Sequence, residues 1–288
     1  MNYLRRKLPV TKIKIFGAGL LYRILSPFVK NPSTVDRSGI KYHLNISEGI
    51  DLSVFLFGNF QKHVFDNQFL KLSSDACVID IGANFGVMSL RYASMIPDGK
   101  VHAFEPTLYA LEKLHKNIAL NPNLAERIVV NHSFVGTGQE KAEDLVAYSS
   151  WNVANQKGAI HPVHLGTAKE SGDAGSISID QYVSANNLER LDLIKIDTDG
   201  HEPEVLIGAS ETLKKLKPGI VFEAGLYIAE ERGRDFTFYF DFFEPLGYTL
   251  YSSYSGRHLH RGNYKREVPE RSTIDVIAVA NVSKADRK

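Results

Sequence analysis

The segment Val78-Ile79-Asp80-Ile81-Gly82-Ala83-Asn84-Phe85-Gly86 constrains this chain more than any other. It begins in the apolar run Cys77–Ile81, which reads as a short strand buried on both faces, as in a parallel sheet. The run enters a tight turn carrying two glycines, and the pattern predicts a helix over 86–94. Glycine allows φ > 0 in such a turn and lets a ligand approach with no Cβ in the way. The next predicted strand, Lys100–Phe104, is followed at once by Glu105. An acidic side chain at the end of that second strand can accept both hydroxyl hydrogens of an adenosine ribose.

The rest of the chain repeats this alternation. Leu108, Leu111, Leu114 and Ile118 recur at three- and four-residue steps, the stripe of a core-facing helix. Further strands are expected at 128–134, Leu193–Ile196, 220–222, 248–251 and Ile274–Ala280, with helices at 203–216 and 236–243. Alternating strands and helices imply an α/β, Rossmann-like fold: a mostly parallel seven-stranded sheet covered on both faces. Nothing helical stands out between the last two strands, so they are expected to form a hairpin that puts an antiparallel strand at the sheet edge. Ligands of such sheets bind at the carboxyl ends of the strands. Residues 1–70 read as an N-terminal extension packed on a main domain of residues 71–288. An irregular insertion is expected at 136–176, where no core pattern persists.

Composition narrows the partners. A formal net charge of +1 gives no reason to expect nucleic acid. The lone Cys77 excludes an intrachain disulfide and a cysteine-based zinc site, and a reducing, cytoplasmic setting is the expectation. Arg5, Arg6 and Lys7 precede the apolar stretch 13–29 in a way that superficially resembles a signal sequence. Lys14 and Arg23 interrupt that stretch, no small-residue cleavage site follows, and it is too short and too charged to span a bilayer. A helix or hairpin packed on the domain is one reading of it, and a peripheral membrane contact is the other.

The glycine spacing separates two kinds of cofactor. Asn84 stands where a dinucleotide fingerprint requires its second glycine. A loop with no pyrophosphate to cradle tolerates a side chain there. S-adenosylmethionine carries no phosphate, and its amino-acid end can bond to such a loop. The expected cofactor residues are Asp80, Gly82, Ala83, Asn84, Gly86 and Glu105. Ser133 either borders the adenine or simply ends its strand. A second glycine pair, in Lys14-Ile15-Phe16-Gly17-Ala18-Gly19, mimics a nicotinamide-binding turn, but Tyr22 fills the third glycine position and no acidic strand end follows.

A second segment makes the reading specific. Leu193-Ile194-Lys195-Ile196-Asp197-Thr198-Asp199-Gly200-His201-Glu202, together with the glycine turn, resembles the FkbM family of methyltransferases over residues 75–225. The family's usual form is Lys-Ile-Asp-Val-Glu-Gly-x-Glu, from which Thr198 and Asp199 depart mildly. The resemblance implies a class I methyltransferase fold and S-adenosylmethionine-dependent O-methylation of a sugar, glycolipid or secondary metabolite.

Methyl transfer to oxygen is an in-line displacement that needs aligned reactants, exclusion of water and a group to accept the hydroxyl proton. His201 is the first choice of base, because an imidazole titrates near working pH. Asp199 or Glu202 can orient it or act directly, with Asp197 beside them. The same residues can instead cap the helix beginning near Pro203. In a metal-assisted version Asp197, Asp199 and Glu223 would offer oxygen ligands to Mg²⁺. Trp151 and the tyrosine-rich run 248–264 could frame a small-molecule or glycan acceptor, whereas His161 and His164 read as loop residues. A nucleotide-dependent enzyme of another class and a non-catalytic Rossmann-like binding protein are the alternatives.

Overall fold

A computed structural model of the chain describes residues 10–140, 147–149, 167–198, 200–226, 233–270 and 272–281. Trp151, His161, His164 and Asp199 lie outside them. Strands β1 (Ser33–Arg37) and β2 (Ile40–Leu44) form a hairpin. They are followed by β3 (Cys77–Ile81), β4 (Lys100–Phe104), β5 (Ile128–Asn131), β6 (Ser133–Gly136), β7 (Ala147–Ser149), β8 (Thr167–Lys169) and β9 (Gly175–Ser178). The chain continues through β10 (Leu193–Ile196), β11 (Gly219–Ala224), β12 (Tyr248–Ser252), β13 (His258–Leu259) and β14 (Ile274–Ala280).

The main sheet runs β13-β12-β14-β11-β10-β3-β4-β5. Its members β5, β4, β3, β10 and β11 are parallel, which gives the α/β Rossmann-like architecture. The antiparallel strand expected at the edge sits inside. β14 pairs antiparallel with both β11 and β12, and the edge falls to the two-residue β13, an eighth strand. Composition explains the position: Val276, Ile277 and Ala278 are all fully buried, so β14 is covered on both faces and is unsuited to an edge.

Two expected elements are broken in the structure. The strand predicted at 128–134 divides at His132: β5 stays in the main sheet, while β6 leaves it to pair in parallel with β9. The helix predicted at 203–216 is two helices, Glu202–Ile207 and Ser210–Leu216. At the break the Gly208 carbonyl accepts the Asp180 N–H (2.9 Å). The Asp180 carboxylate in turn accepts from Glu211 N (3.1 Å) and Thr212 N (2.7 Å), satisfying donors at the start of the second helix. A Cβ on Gly208 would lie 2.0 Å from the Gly136 carbonyl, so the break also lets β6 approach. Asp180 belongs to the helix Ile179–Ala185, inside the region that follows the irregular stretch. A capping box opens that helix: Ser178 accepts from Gln181 N, and Gln181 accepts from Ser178 N.

Residues before 70 contribute to the core on one face of the sheet. Ile40, Tyr42, Leu44, Val54 and Val64 bury together with Val78, Leu90, Val101, Leu193 and Val221. A polar stripe on the helix Leu108–Ala119 fixes their register. Asn117 accepts the His43 N–H (2.7 Å) and donates to the Phe85 carbonyl (2.8 Å). One turn on, Asn121 accepts the Lys41 N–H (2.8 Å) and returns a bond to the Lys41 carbonyl (2.7 Å), pairing the backbone of β2 as a strand would. One turn back, the Lys113 ammonium bonds Glu48 and the fully buried Asp51, each at 2.9 Å. Burial, offset in part by Lys113, pushes the Asp51 carboxyl up to about 6. Among the described residues no helix is long and apolar enough to cross a membrane.

Asn117→Ala would leave the His43 N–H and the Phe85 carbonyl without partners. Urea unfolding should show a loss of about 3 kcal/mol. A loss below about 1 kcal/mol would mean that the apolar contacts alone hold the hairpin in place.

Candidate functional site

Strand alternation brings a row of charges to one face of the sheet. Val78 and Leu193 point to the same face as the buried hairpin, so Asp80 and Lys195, two residues further along their strands, do so as well. Lys195 and Asp80 are register partners across β3 and β10. The Lys195 ammonium, almost fully buried, stands 3.4 Å from Asp80 Oδ1, 3.4 Å from Asp197 Oδ2 and 3.4 Å from the Gly82 carbonyl. Burial disfavours the ammonium charge, but Asp197 and Asp80 outweigh it and hold the lysine pKa above its ordinary value. Asp80 Oδ2 accepts from the Ser89 hydroxyl (2.6 Å), which fixes the carboxylate under the glycine turn.

The turn is shaped by the protein around it. Gly82 has φ +75°, and a Cβ there would lie 1.9 Å from the carbonyl oxygen of Asp197. Gly86 has φ +89°, and its Cβ would meet Leu114 Cδ1 at 2.5 Å. The space that the glycines were expected to leave for a ligand is thus taken by the end of β10 and by the neighbouring helix. Asn84 also adopts a left-handed conformation, with φ 50°.

All five N–H groups of this turn have internal partners. Those of Gly82 and Ala83 donate to the Phe104 carbonyl, Asn84 to Glu105 Oε2 (2.8 Å), Phe85 to Asn84 Oδ1 (2.8 Å) and Gly86 to the Ala83 carbonyl. A phosphate would need such donors, so the loop is poorly equipped for a dinucleotide. Glu105 is buried, and its Oε1 accepts from Thr107 N (2.9 Å) and Thr107 Oγ1 (2.7 Å). Burial raises its pKa, and the bonds from Thr107 and Asn84 counter that. A carboxylate has about four acceptor positions, so with three bonds in place one remains for a ligand hydroxyl.

The residues past β10 divide in role. Glu202 is fully buried, and its Oε1 accepts from Thr198 N (2.9 Å), Thr198 Oγ1 (3.0 Å) and Gly200 N (3.3 Å), closing the loop on itself. Its Oε2 is buried without a hydrogen bond. His201, half-buried, occupies the N-cap position of the helix Glu202–Ile207. Asp197, one-quarter exposed, accepts from Gln61 Nε2 at 3.4 Å. Ser133 lies away from the main sheet: its hydroxyl donates to the Gly175 carbonyl (2.9 Å), tying β6 to β9.

A second cluster completes the acidic edge: it includes Glu223 and Tyr254, which the sequence pointed to, and His63 and Asp275, which it did not. Glu223 at the end of β11 pairs with Asp275 on β14, and its carboxyl accepts from the Thr273 hydroxyl. Burial, reinforced by the nearby Asp197 and Asp275 charges, pushes the Glu223 pKa well above its ordinary value. Asp275 Oδ2 lies 2.5 Å from His63 Nε2, and the imidazole stacks on Tyr254 with ring centroids 3.9 Å apart. The pairing joins residues 212 positions apart, so no local pattern could have revealed it. Mg²⁺ finds no support: among the described residues no three His, Cys, Asp or Glu side chains converge as a ligand set.

Comparisons with known proteins agree with the geometry. A model of the methyltransferase FkbM domain matches residues 80–250. Methyltransferase sdnD of Sordaria araneosa is 28% identical over 186 residues, 57% of this chain and 71% of sdnD. 2-O-methyltransferase NoeI of Sinorhizobium fredii is 27% identical over 157 residues, 50% of this chain and 61% of NoeI. The chain matches 10% of the length of another relative, AMB antimetabolite synthetase AmbE of Pseudomonas aeruginosa. Among solved structures, methyltransferase FkbM of Methylobacillus flagellatus is 18% identical with a TM-score of 0.46, the match covering 73% of this chain and 44% of that one.

The two glycines differ in what surrounds them, and this can be measured. Gly82→Ala meets rigid backbone and should cost roughly 3 kcal/mol. Gly86→Ala meets the mobile end of a leucine and should cost about 1–2 kcal/mol. Equal losses in chemical denaturation would show that the Asp197 carbonyl can move aside.

Proposed function

The chain belongs to the FkbM methyltransferase family, and we propose that it transfers a methyl group from S-adenosylmethionine to a hydroxyl of a sugar, glycolipid or secondary metabolite. One observation carries the reading: the carboxyl ends of the strands offer acceptors and negative charge, with the turn's N–H donors already committed. Asp80, Glu105, Asp197 and Asp275 line this edge, and Lys195 is the buried lysine among them. Such an edge suits a ligand that brings its own donors and positive charge. S-adenosylmethionine has a sulfonium, an ammonium and two ribose hydroxyls, and when bound it supplies an electrophilic methyl group.

The chain's own residues would then bind, align and accept a proton. Glu105 has the remaining acceptor position for a ribose hydroxyl. A ligand ammonium at the Gly82–Gly86 turn would use a second lone pair of its carbonyls, since those of Gly82, Ala83, Phe85 and Gly86 already accept internal donors. Asp197, held by Lys195 and Gln61, borders the space beyond β10. An oxygen acceptor is supported by the relative named as a 2-O-methyltransferase.

Oxygen as acceptor requires a base, because a neutral hydroxyl is a weak nucleophile. His201 and His63 are candidate imidazoles among the described residues at this edge. His63 has the stronger support: Asp275 at its Nε2 stabilises the imidazolium formed when Nδ1 takes a proton. Both His63 and Asp275 fall outside the matched residues 80–250.

Glu105→Ala should weaken S-adenosylmethionine binding at least about tenfold, the loss of one hydrogen bond to a charged group. Unchanged affinity in calorimetry would remove Glu105 from the site. His63→Ala should lower kcat by about 10²–10⁴-fold, abolish the acid limb of the pH–rate profile and leave cofactor affinity intact. If His201→Ala does this instead, the base is His201. If neither variant loses the acid limb, the proton goes to a carboxylate.

A further inference from the structure

Seven lysines and arginines and no acidic residue precede Asp36, whereas the whole chain balances at +1, so everything after Val35 is net acidic. The described part of this basic segment also exposes apolar side chains. In the helix Val10–Leu25, Leu20 and Ile24 are 53% and 56% exposed, with Leu21 beside them. At about 100° per residue these three share one face. Just past the helix Phe28 is 86% exposed, and Arg23 and Lys30 are exposed at the margins of the patch. The helix packs beside the helix Gly49–Phe57, whose last residue, Phe57, is 68% exposed. The remainder of the described chain keeps most of its large apolar side chains inside. Exposed leucine, isoleucine and phenylalanine with the exposed cations Arg23 and Lys30 beside them mark an interaction surface.

We propose that this patch docks on an anionic lipid bilayer, with Leu20, Ile24, Phe28 and Phe57 entering the headgroup boundary and Arg23 and Lys30 meeting lipid phosphates. Charge selects the occupant. A helix with leucine and phenylalanine on one side, lysine and arginine around them and no acid lies in a membrane interface, and long cationic side chains reach headgroups while their stems stay in the apolar layer. The rest of the chain, being net acidic, does not add to the attraction, so binding depends on this segment. The patch also adjoins the strand-end site. Gln61, four residues beyond Phe57, donates to Asp197, and four residues of chain span at most roughly 14 Å. Docking therefore holds the site close to the bilayer, where a hydroxyl on a lipid-linked acceptor would be presented.

The test uses the full chain and vesicles of phosphatidylcholine alone or mixed with phosphatidylglycerol. The native chain should sediment with the mixed vesicles, remain in the supernatant with the neutral ones, and be released by salt, because such attraction is screened. Replacing Leu20, Ile24 and Phe28 by Ser should abolish sedimentation while circular dichroism and S-adenosylmethionine affinity stay unchanged. Arg23→Gln with Lys30→Gln should weaken binding roughly 25-fold, each cation near an anionic surface being worth about a fivefold factor. Equal sedimentation with neutral vesicles, or none with either, would overturn the proposal. So would a concentration-dependent dimer in analytical ultracentrifugation that the serine variant loses without any vesicle binding, since a second copy would then cover the patch.

Discussion

The Lys195 ammonium, sealed between Asp80, Asp197 and the Gly82 carbonyl, neutralises buried charge where β3 and β10 pair and the glycine turn begins. A buried charge is costly unless it is compensated, and a lysine with two carboxylates at 3.4 Å is compensated twice. β3, carrying Asp80, and β10, followed at once by Asp197, lie in parallel register where the glycine turn begins. The Asp197 carbonyl occupies the space beside Gly82, and only glycine can stand there. Beside this contact the Asn84 N–H donates to Glu105 and the Thr198 N–H to Glu202, which fix the turn and the loop past β10.

Those parts of the molecule that were legible in the sequence are the ones specified by local pattern. β3, β4, β10 and β14 lie where their apolar runs predict them, because strands buried on both faces admit almost no polar residue. The polar exceptions within those runs include Asp80 and Lys195, the buried ion pair, His102, bonded to the Tyr182 hydroxyl, and Asp275, the partner of His63. The helix Leu108–Ala119 follows its leucine stripe. The break at Gly208 was not legible, since it depends on Asp180 arriving from another helix to satisfy the donors of Ser210–Leu216. The capping box at Ser178 and Gln181 was a readable signal for the helix Ile179–Ala185, and the surrounding Gly- and Ser-rich composition obscured it.

The same division runs through the site. Asp80, Gly82, Asn84, Glu105 and Asp197 belong to contiguous motifs. His63, Asp275 and Tyr254 come from three separate stretches and meet only because β14 inserts beside β11, a placement that the expected edge strand would not have produced. Residues before 70 were read as an appendage, yet they contribute Gln61 and His63 to the strand ends and are clamped by Lys113, Asn117 and Asn121. The family-matched region, residues 80–250, holds Asp80, the glycine turn, Glu105 and Asp197, whereas Gln61, His63 and Asp275 lie outside it.

The charge logic of the turn makes the central claim directly measurable. Isothermal titration of the native chain with S-adenosylmethionine, with NAD as the control ligand, asks whether the acceptor-rich edge receives a cationic donor or a pyrophosphate. The account predicts saturable binding of S-adenosylmethionine and none of NAD. Binding of NAD alone would contradict it, because that ligand would have to find N–H donors which the turn from Gly82 to Gly86 has already spent within itself.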